Sequence, residues 1–182
     1  MIAQPLSIPD VLLISPRKFR DDRGYFLETW EQRRYADYGV ATSFVQDNLS
    51  YSARGTLRGL HYQIQQPQGK LVRVVAGEVF DVAVDIRRSS PTFGHWVGVE
   101  LSSENARQLW VPAGFAHGFY VTSEFATFEY KCTDFYAPDH ERTIRWDDPL
   151  LGIDWPQMKG GPPLLSLKDS QAPGLKEAET YE

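Results

Sequence analysis

The chain of 182 residues contains almost no cysteine and little histidine. Cys132 is the only cysteine, so the sequence excludes an internal disulfide and a zinc site built from cysteine ligands. A lone thiol is typical of a reducing compartment, and we expect the protein in the cytoplasm. The four histidines offer few of the imidazole ligands that first-row metals normally use. The composition therefore gives no support for a metal centre.

Long hydrophobic runs and an excess of positive charge are also missing. The apolar run from Val11 to Ile14 is stopped by Pro16 and is too short for the core of a signal peptide, and no later run could span a bilayer. The net charge of -5 argues against non-specific binding to nucleic acid, because that binding needs a basic face. We therefore expect a soluble protein without nucleic-acid or membrane partners.

The chain does contain a series of short strand-forming segments separated by turns. The segment from Val79 to Ile86 alternates between an apolar face and a face with carboxylates, which is the period of a strand. The one convincing helix runs from Glu31 to Tyr38 and is stopped by Gly39. Because strands recur at short intervals with little helix, the pattern predicts one all-β domain, residues 1–182, folded as a sandwich or barrel.

Three further predictions concern the layout of the chain. Residues Met1 to Arg20 are interpreted as an extended arm. The polar pair Ser123-Glu124 is interpreted as a turn that sends the chain back from a strand at His117 to Thr122 into a strand at Phe125 to Cys132. The region from Pro149 to Glu182 is rich in proline and glycine, and we expect it to wrap around the domain.

The stretch from Gly55 to Arg87 places polar residues among strand-forming ones. His61 lies in one strand-forming run and Lys70 opens the next, so the facing ends of neighbouring strands can bring them together. Strict alternation would point Arg58 and His61 to opposite sides. Gly59 lies between them, and glycine inside a strand often marks a bulge that redirects the next side chain. The alternative is a hydrogen-bonded core histidine and a solvated lysine.

A second signal follows at the turn Pro112-x-Gly114-x-x-His117, which resembles the second half of the motif of cupins, a family of small β-barrels that usually hold a metal. The first half of that motif supplies a His-x-His pair and a glutamate. Here the corresponding place reads His61-Tyr62-Gln63, without a second histidine or a nearby glutamate, so the metal cluster is broken. A barrel pocket with a histidine and a lysine instead favours proton chemistry at a carbon next to a carbonyl.

Six segments together carry a more specific resemblance, which covers almost the whole chain. They are Asp21-x-Arg23-Gly24-x-Phe26-x-Glu28, Phe44-x-Gln46-Asp47-Asn48, Gly55-x-Leu57-Arg58-Gly59-Leu60-His61-Tyr62-Gln63, Gln68-Gly69-Lys70-Leu71, Pro112-x-Gly114-Phe115-x-His117-Gly118-Phe119 and Leu167-Lys168-Asp169. In their order and spacing these segments resemble the dTDP-4-dehydrorhamnose 3,5-epimerases. The resemblance implies an all-β, cupin-like double-stranded β-helix (jelly-roll) barrel with an extended N-terminal arm and few short helices.

The same resemblance implies a cofactor-free epimerase. Its substrate would be dTDP-4-dehydro-6-deoxy-D-glucose, and inversion of the two carbons next to the ketone would give dTDP-4-dehydro-L-rhamnose. His61 matches the family's base, and Asp169 matches the carboxylate that orients it. Tyr130 matches the acid, and Lys70 matches the cation beside the ketone oxygen, where it would stabilise an enolate.

The resemblance also implies a set of binding residues and a homodimer. Arg23, Arg58 and Lys168 match contacts to the nucleotide or diphosphate, a role that suits their positive charge. Tyr136 matches the ring that stacks on thymine. The remaining matches to binding positions are Glu28, Gln46, Asn48, His117 and Glu141. The family is dimeric, and an extended N-terminal arm suits strand exchange or addition across the interface.

Three other functions are compatible with parts of this pattern. An epimerase that inverts only C3 or C5 of a related dTDP-4-keto-6-deoxy sugar would carry the same catalytic residues. A non-catalytic barrel that binds nucleotide sugars should lack the base or the acid, whereas His61, Tyr130, Lys70 and Asp169 are all present. A metal-dependent cupin oxygenase would need the missing His-x-His pair.

Overall fold

The computed structural model describes residues 1–156 and 161–182, and strands are the main regular structure, with all eleven of them between residues 2 and 143. The all-β prediction is therefore confirmed. The strands are β1 (Ile2–Pro5), β2 (Leu12–Ser15), β3 (Lys18–Asp21), β4 (Gly24–Leu27), β5 (Gln46–Ala53), β6 (Leu57–Gln63), β7 (Lys70–Asp85), β8 (Trp96–Ser102), β9 (Gln108–Val111), β10 (Phe115–Cys132) and β11 (Glu141–Thr143). The helices are α1 (Gln32–Ala36), α2 (Leu167–Ser170) and a 3-10 turn at Pro138–His140. Among the described residues, no helix is long and apolar enough to cross a membrane.

The two longest strands, β7 and β10, form the centre of the barrel. They run antiparallel, with Phe115 opposite Asp85 and Cys132 opposite Lys70. Strand β7 also pairs with β9 near its start and with β8 near its end, while β10 pairs with β6 and then with β5. Because both strands change their second partner along their length, side chains from β2, β7, β8, β9 and β10 meet in one buried cluster.

The predicted chain reversal at Ser123-Glu124 is wrong, because β10 continues through it. The register against β7 shifts between Val121 and Ala126, which identifies a bulge. Ser123 Oγ accepts a hydrogen bond from the Glu78 amide at 2.7 Å, so a polar side chain supports the bulge. Gly77 lies opposite with φ +82, and a Cβ there would be 1.9 Å from the Phe125 oxygen. Glycine therefore lets the two strands stay paired where the sequence pattern indicates a turn.

The short helix is confirmed as α1, although it is shorter than predicted, and Glu31 caps it by accepting hydrogen bonds from the next backbone amides. The N-terminal arm does not extend as a single segment. Strand β1 pairs with β2, β2 pairs with β9, and Val11 and Ile14 are fully buried. Strands β3 and β4 form a separate hairpin after this edge.

The C-terminal region wraps around the barrel as predicted, apart from residues 157–160, which lie outside the described ranges. The Leu164 amide donates to the Gly55 oxygen, and the Tyr181 amide donates to the Ile86 oxygen. Leu175 and Ala178 are buried against the barrel wall. This wrapping carries α2, which the sequence pattern did not predict, to the side of β6.

Candidate active site

A cavity of about 150 Å³ opens between strands β5, β6, β7 and β10. Its wall combines aromatic rings with ionisable side chains. The lining residues are Ser50, Arg58, His61, Lys70, His117, Gly118, Phe119, Phe128 and Tyr130. Clefts of about 270 and 320 Å³ also lie on the described part of the protein, but neither combines a histidine, a lysine and a tyrosine. We therefore take the smaller cavity as the candidate active site.

A bulge in β6 turns Arg58 and His61 into this cavity together. His117 lies opposite His61 and Phe119 lies opposite Arg58, so two steps along β10 match three steps along β6. Gly59 has φ +125, and a Cβ on it would lie 2.6 Å from the Cα of Gly118. Only glycine fits this approach of the two strands. The bulge predicted at Gly59 is confirmed, and it resolves the conflict between strand alternation and a shared site.

His61 is held by Asp169, which α2 brings from the C-terminal region. Nε2 of His61 lies 2.5 Å from Oδ1 of Asp169, and the Ser166 hydroxyl donates to the other carboxylate oxygen at 2.8 Å. Ser166 is also the N-cap of α2 and so fixes Asp169 within its helix. The aspartate side chain is 2% exposed, whereas the histidine side chain is 25% exposed and reaches the cavity.

The charges of this pair favour a neutral histidine beside an ionised aspartate. Burial lowers the pKa of His61 below its ordinary value, although the bond to Asp169 opposes that shift. Burial works against the charge on Asp169, but the hydrogen bonds from His61 and Ser166 hold the pKa of the carboxyl below its ordinary value. An ionised carboxylate accepts the proton of Nε2, which leaves Nδ1 as the nitrogen with a free lone pair. The pair can therefore act as a base.

Lys70 and Tyr130 face each other in the same cavity. The ammonium nitrogen lies 6.0 Å from the centre of the tyrosine ring. Burial lowers the pKa of Lys70, and burial raises the pKa of Tyr130. The phenol thus keeps its proton at neutral pH and can donate it, while a desolvated ammonium is a strong hydrogen-bond donor to a developing negative charge.

A second histidine and aspartate lie deeper in the wall. Nε2 of His117 is 2.9 and 3.1 Å from the two carboxylate oxygens of Asp81, and its ring packs over Phe128. The His117 side chain is 8% exposed and Asp81 is fully buried, so desolvation raises the pKa of Asp81. The sequence pattern did not predict Asp81 as the partner of His117. Alternation placed it on the polar side of its strand with Asp85, and nothing in that pattern separates the two.

Five of the predicted binding residues lie beyond the cavity lining and form hydrogen-bonded groups with one another. Glu141 bonds to Lys168 at 2.8 Å and accepts from the Tyr136 hydroxyl at 3.2 Å. Gln46 donates to the side-chain oxygen of Asn48 at 3.0 Å and accepts from the Tyr136 amide at 2.9 Å. These contacts join β5, β11, α2 and the loop after β10. They place Tyr136 beside both groups.

Arg23 and Glu28 are not brought to the cavity of this chain. Arg23 lies at the tip of the β3–β4 hairpin and pairs with Asp21 at 2.6 Å. Glu28 follows that hairpin and pairs with Arg34 at 3.0 Å. Their binding roles stay predictions, as does the expected absence of a metal. Within residues 1–156 and 161–182, no three His, Cys, Asp or Glu side chains are grouped as metal ligands would be.

Comparisons with known proteins show which family this chain resembles. The family model described as dTDP-4-dehydrorhamnose 3,5-epimerase matches residues 5–177. A dTDP-4-dehydrorhamnose 3,5-epimerase of Pseudomonas aeruginosa is 62% identical over 182 residues, which cover 100% of this chain and 99% of that protein.

Solved structures show the same likeness. The crystal structure of dTDP-6-deoxy-D-glucose-3,5-epimerase from Legionella pneumophila Philadelphia 1, in complex with dTDP-4-keto-L-rhamnose, has a TM-score of 0.94 and 54% identity, and it covers 98% of this chain and 94% of that chain. A 3′-monoepimerase from Streptomyces bikiniensis, in complex with dTDP-quinovose, has a TM-score of 0.88 and 36% identity, with 95% of this chain and 87% of that chain covered. The expected cupin-like barrel is thereby confirmed.

Proposed function

Because the chain belongs to the dTDP-4-dehydrorhamnose 3,5-epimerase family, we propose that residues 1–182 form one epimerase domain that converts dTDP-4-dehydro-6-deoxy-D-glucose to dTDP-4-dehydro-L-rhamnose. The enzyme would supply the keto sugar for dTDP-L-rhamnose synthesis. One observation carries the proposal: the His61–Asp169 pair, Lys70 and Tyr130 converge on a single cavity. A ketone acidifies the hydrogens on both neighbouring carbons, so one base and one acid suffice for both inversions.

Each inversion follows from the arrangement of these groups. Nδ1 of His61 takes the carbon-bound proton, and the electron pair moves into an enolate whose oxygen faces the Lys70 ammonium. Tyr130 then delivers a proton to the opposite face of the same carbon, and solvent restores the phenol and the imidazole. Asp169 holds the imidazole in one tautomer and stabilises the imidazolium that forms. No electron acceptor is required, so we assign no cofactor.

The nucleotide part of the substrate has a separate set of partners. Arg58 extends into the cavity and donates to the Ser52 hydroxyl at 3.0 Å, a position from which a guanidinium can also bind phosphate. Lys168 adds a cation beside Glu141, and Tyr136 offers an aromatic ring that is 52% exposed. We assign the diphosphate to the two cations and the base to Tyr136.

We further propose a homodimer. Phe19 and Phe26 on the β3–β4 hairpin are exposed, as are Leu49 and Tyr51 on β5, and apolar surface of this kind is typical of interfaces. Among the described strands, β1 also lies at the end of its sheet, where a second copy can extend it. In such a dimer, Arg23 at the tip of the hairpin and Glu28 just after it would contact the substrate in the cavity of the partner. The single buried cysteine, Cys132, supports our placement of the enzyme in the cytoplasm.

A single-site epimerase is the second candidate, and one observation favours it. The similar structure from Streptomyces bikiniensis is a 3′-monoepimerase on the same fold, so the fold alone does not fix the number of inversions. The product distinguishes the two. Purified protein incubated with dTDP-4-dehydro-6-deoxy-D-glucose should yield dTDP-4-dehydro-L-rhamnose by proton NMR. A product inverted at one carbon would identify the single-site enzyme, and tight binding without conversion would identify a non-catalytic barrel.

A further inference from the structure

We propose that three glutamines, Gln46, Gln63 and Gln68, form a clamp that sets the Tyr136 loop, residues 133–137, in the conformation that receives the nucleobase. This glutamine clamp deepens the proposed function and rests on it for the identity of the ligand. Gln63 and Gln68 would then be positioning residues, since they act through Tyr136. Gln46 would position the loop in addition to any contact with the nucleotide.

Gln63 is the centre of the clamp. Gln63 is 4% exposed, and its side-chain amide makes three hydrogen bonds. The nitrogen donates to the Phe135 oxygen at 3.2 Å and to the Gln66 oxygen at 2.7 Å, and the oxygen accepts from the Ala137 amide at 2.9 Å. Gln63 therefore holds the residue before Tyr136 and the residue after it at the same time.

The other two glutamines hold the rest of the loop. The oxygen of Gln46 accepts from the Tyr136 amide at 2.9 Å, and the nitrogen of Gln68 donates to the Asp134 oxygen at 2.8 Å. The backbone of Thr133 bonds to that of Gly69 at 3.0 Å. Each residue from 133 to 137 thus has at least one fixed backbone group, although the loop belongs to no strand.

The chemistry of glutamine explains why this residue type recurs. A side-chain amide offers both a donor and an acceptor, so it can satisfy the carbonyls and the amides of a loop that lacks a strand partner. A loop ordered before the ligand arrives does not lose its conformational freedom on binding, which strengthens affinity. Gln63 lies two residues after His61, where a metal-binding cupin would carry its second histidine. In this chain the residue at that position binds the Tyr136 loop instead, so β6 carries both the proposed base, His61, and the central residue of the clamp, Gln63.

The first test replaces Gln63 with methionine, which keeps the length of the side chain and removes its hydrogen bonds. We expect Gln63→Met to weaken dTDP binding about tenfold by isothermal titration and to raise KM about tenfold, with kcat changed less than about twofold, because the loss falls on nucleotide binding. Gln108→Met is the matched control. Gln108 is equally buried and bonds to Thr29 and Tyr35 at 2.8 Å, so its variant should lose stability and keep the affinity for dTDP.

The second test asks whether Gln63 acts through Tyr136. In a Tyr136→Ala background, Gln63→Met should cause no further loss of dTDP affinity, since the ring that it positions is gone. Gln68→Met, which removes one bond at a less buried site, should weaken binding about threefold and serves if Gln63→Met does not fold. Unchanged affinity in both variants, or a full second loss in the Tyr136→Ala background, would overturn the clamp. A wild-type protein that binds no dTDP would instead overturn the proposed function.

Discussion

Two histidine–aspartate pairs border the same cavity, and their surroundings differ. The His61 side chain is 25% exposed and meets one oxygen of Asp169, while that of His117 is 8% exposed and meets both oxygens of Asp81. Asp169 receives a further hydrogen bond from Ser166 and has a lowered pKa. Asp81 is fully buried and has a raised pKa because of desolvation.

The difference supports the different roles that we propose for the two histidines. A base needs access to the substrate, a free ring nitrogen and an ionised partner that stabilises its charged form, and the His61–Asp169 pair has all three. His117 lies in a closed environment between Asp81 and Phe128, which favours a fixed orientation. We therefore assign His117 to binding the substrate. Residue type alone would not distinguish these pairs, whereas burial and the hydrogen bonds around each aspartate do.

The largest effect should come from removing the base. His61→Ala should lower kcat about 10⁴-fold, because it removes the proposed base, and it should leave dTDP affinity nearly unchanged. His117→Asn should lower kcat by about tenfold at most and raise KM, as expected for a binding residue. Steady-state kinetics and titration with dTDP check both variants. His95→Ala, on an exposed residue outside the cavity, is the control.

Substitution of the two aspartates distinguishes the two pairs further, through the pH dependence of kcat/KM. A base must be neutral, so kcat/KM should fall as pH drops through the pKa of His61, which lies below its ordinary value of 6.5 because burial disfavours the charged form. Asp169 raises that pKa through its hydrogen bond and charge. Asp169→Asn should therefore move the acid limb to lower pH, and it should also reduce kcat about 10³-fold through loss of the tautomer.

Asp81→Asn provides the contrast in the pH experiment. Because our proposal gives the role of base to His61 and not to His117, this variant should reduce kcat less than about tenfold and leave the acid limb in place. A shift of the limb in the Asp81→Asn variant, with none in the Asp169→Asn variant, would exchange the roles of the two pairs.

A smaller loss is expected from the cation that both inversions share. Lys70→Met should reduce kcat about a hundredfold, because it removes one preorganised donor to the enolate oxygen. Both histidine–aspartate pairs stay intact in this variant, so the acid limb should stay close to its wild-type pH. Any small shift should be to higher pH, because the charge of Lys70 lowers the pKa of His61. Rates and pH profiles of the variant measure this. A loss as large as that of His61→Ala would mean that Lys70, too, transfers a proton.

No effect is expected from chelation. The sequence His61-Tyr62-Gln63 lacks the paired histidines of metal-binding cupins, and the mechanism uses only protons and one ammonium. Prolonged treatment with a chelator should therefore leave turnover unchanged, and elemental analysis should find no stoichiometric first-row metal. Loss of turnover that the returned metal restores would contradict the mechanism.

Much of the fold and site could be predicted because their signals are local. Strand alternation identified the β-type segments, and Gly59 between Arg58 and His61 predicted the bulge that brings both into one cavity. The pair Ser123-Glu124 was wrongly interpreted as a turn, because polar residues also occur at β-bulges. What decides between a turn and a bulge is Gly77, which lies far away in sequence on the partner strand.

Other features had no local signal. Helix α2 has four residues in a region rich in proline and glycine, too few to show a helical period, so Asp169 was identified by family resemblance alone. The partner of His117 was hidden for another reason. Asp81 and Asp85 lie on the same face of β7, and each is two residues from Ala83, which pairs with His117 in the register of β10 against β7. Asp85 bonds to Arg87, Ser90 and Thr92, whereas Asp81 bonds to the histidine, and the strand pattern carries no sign of that difference.

The exchange of carbon-bound hydrogen with solvent tests the central claim most directly. Conversion of the keto sugar in heavy water, followed by mass spectrometry and proton NMR, should give product with deuterium at both C3 and C5, since each inversion removes a proton to His61 and returns one from Tyr130. Lys70→Ala should slow labelling at both carbons, and His61→Ala should abolish it. Deuterium at one carbon, with only that centre inverted, would contradict the double epimerase, and intact substrate without deuterium would contradict catalysis altogether.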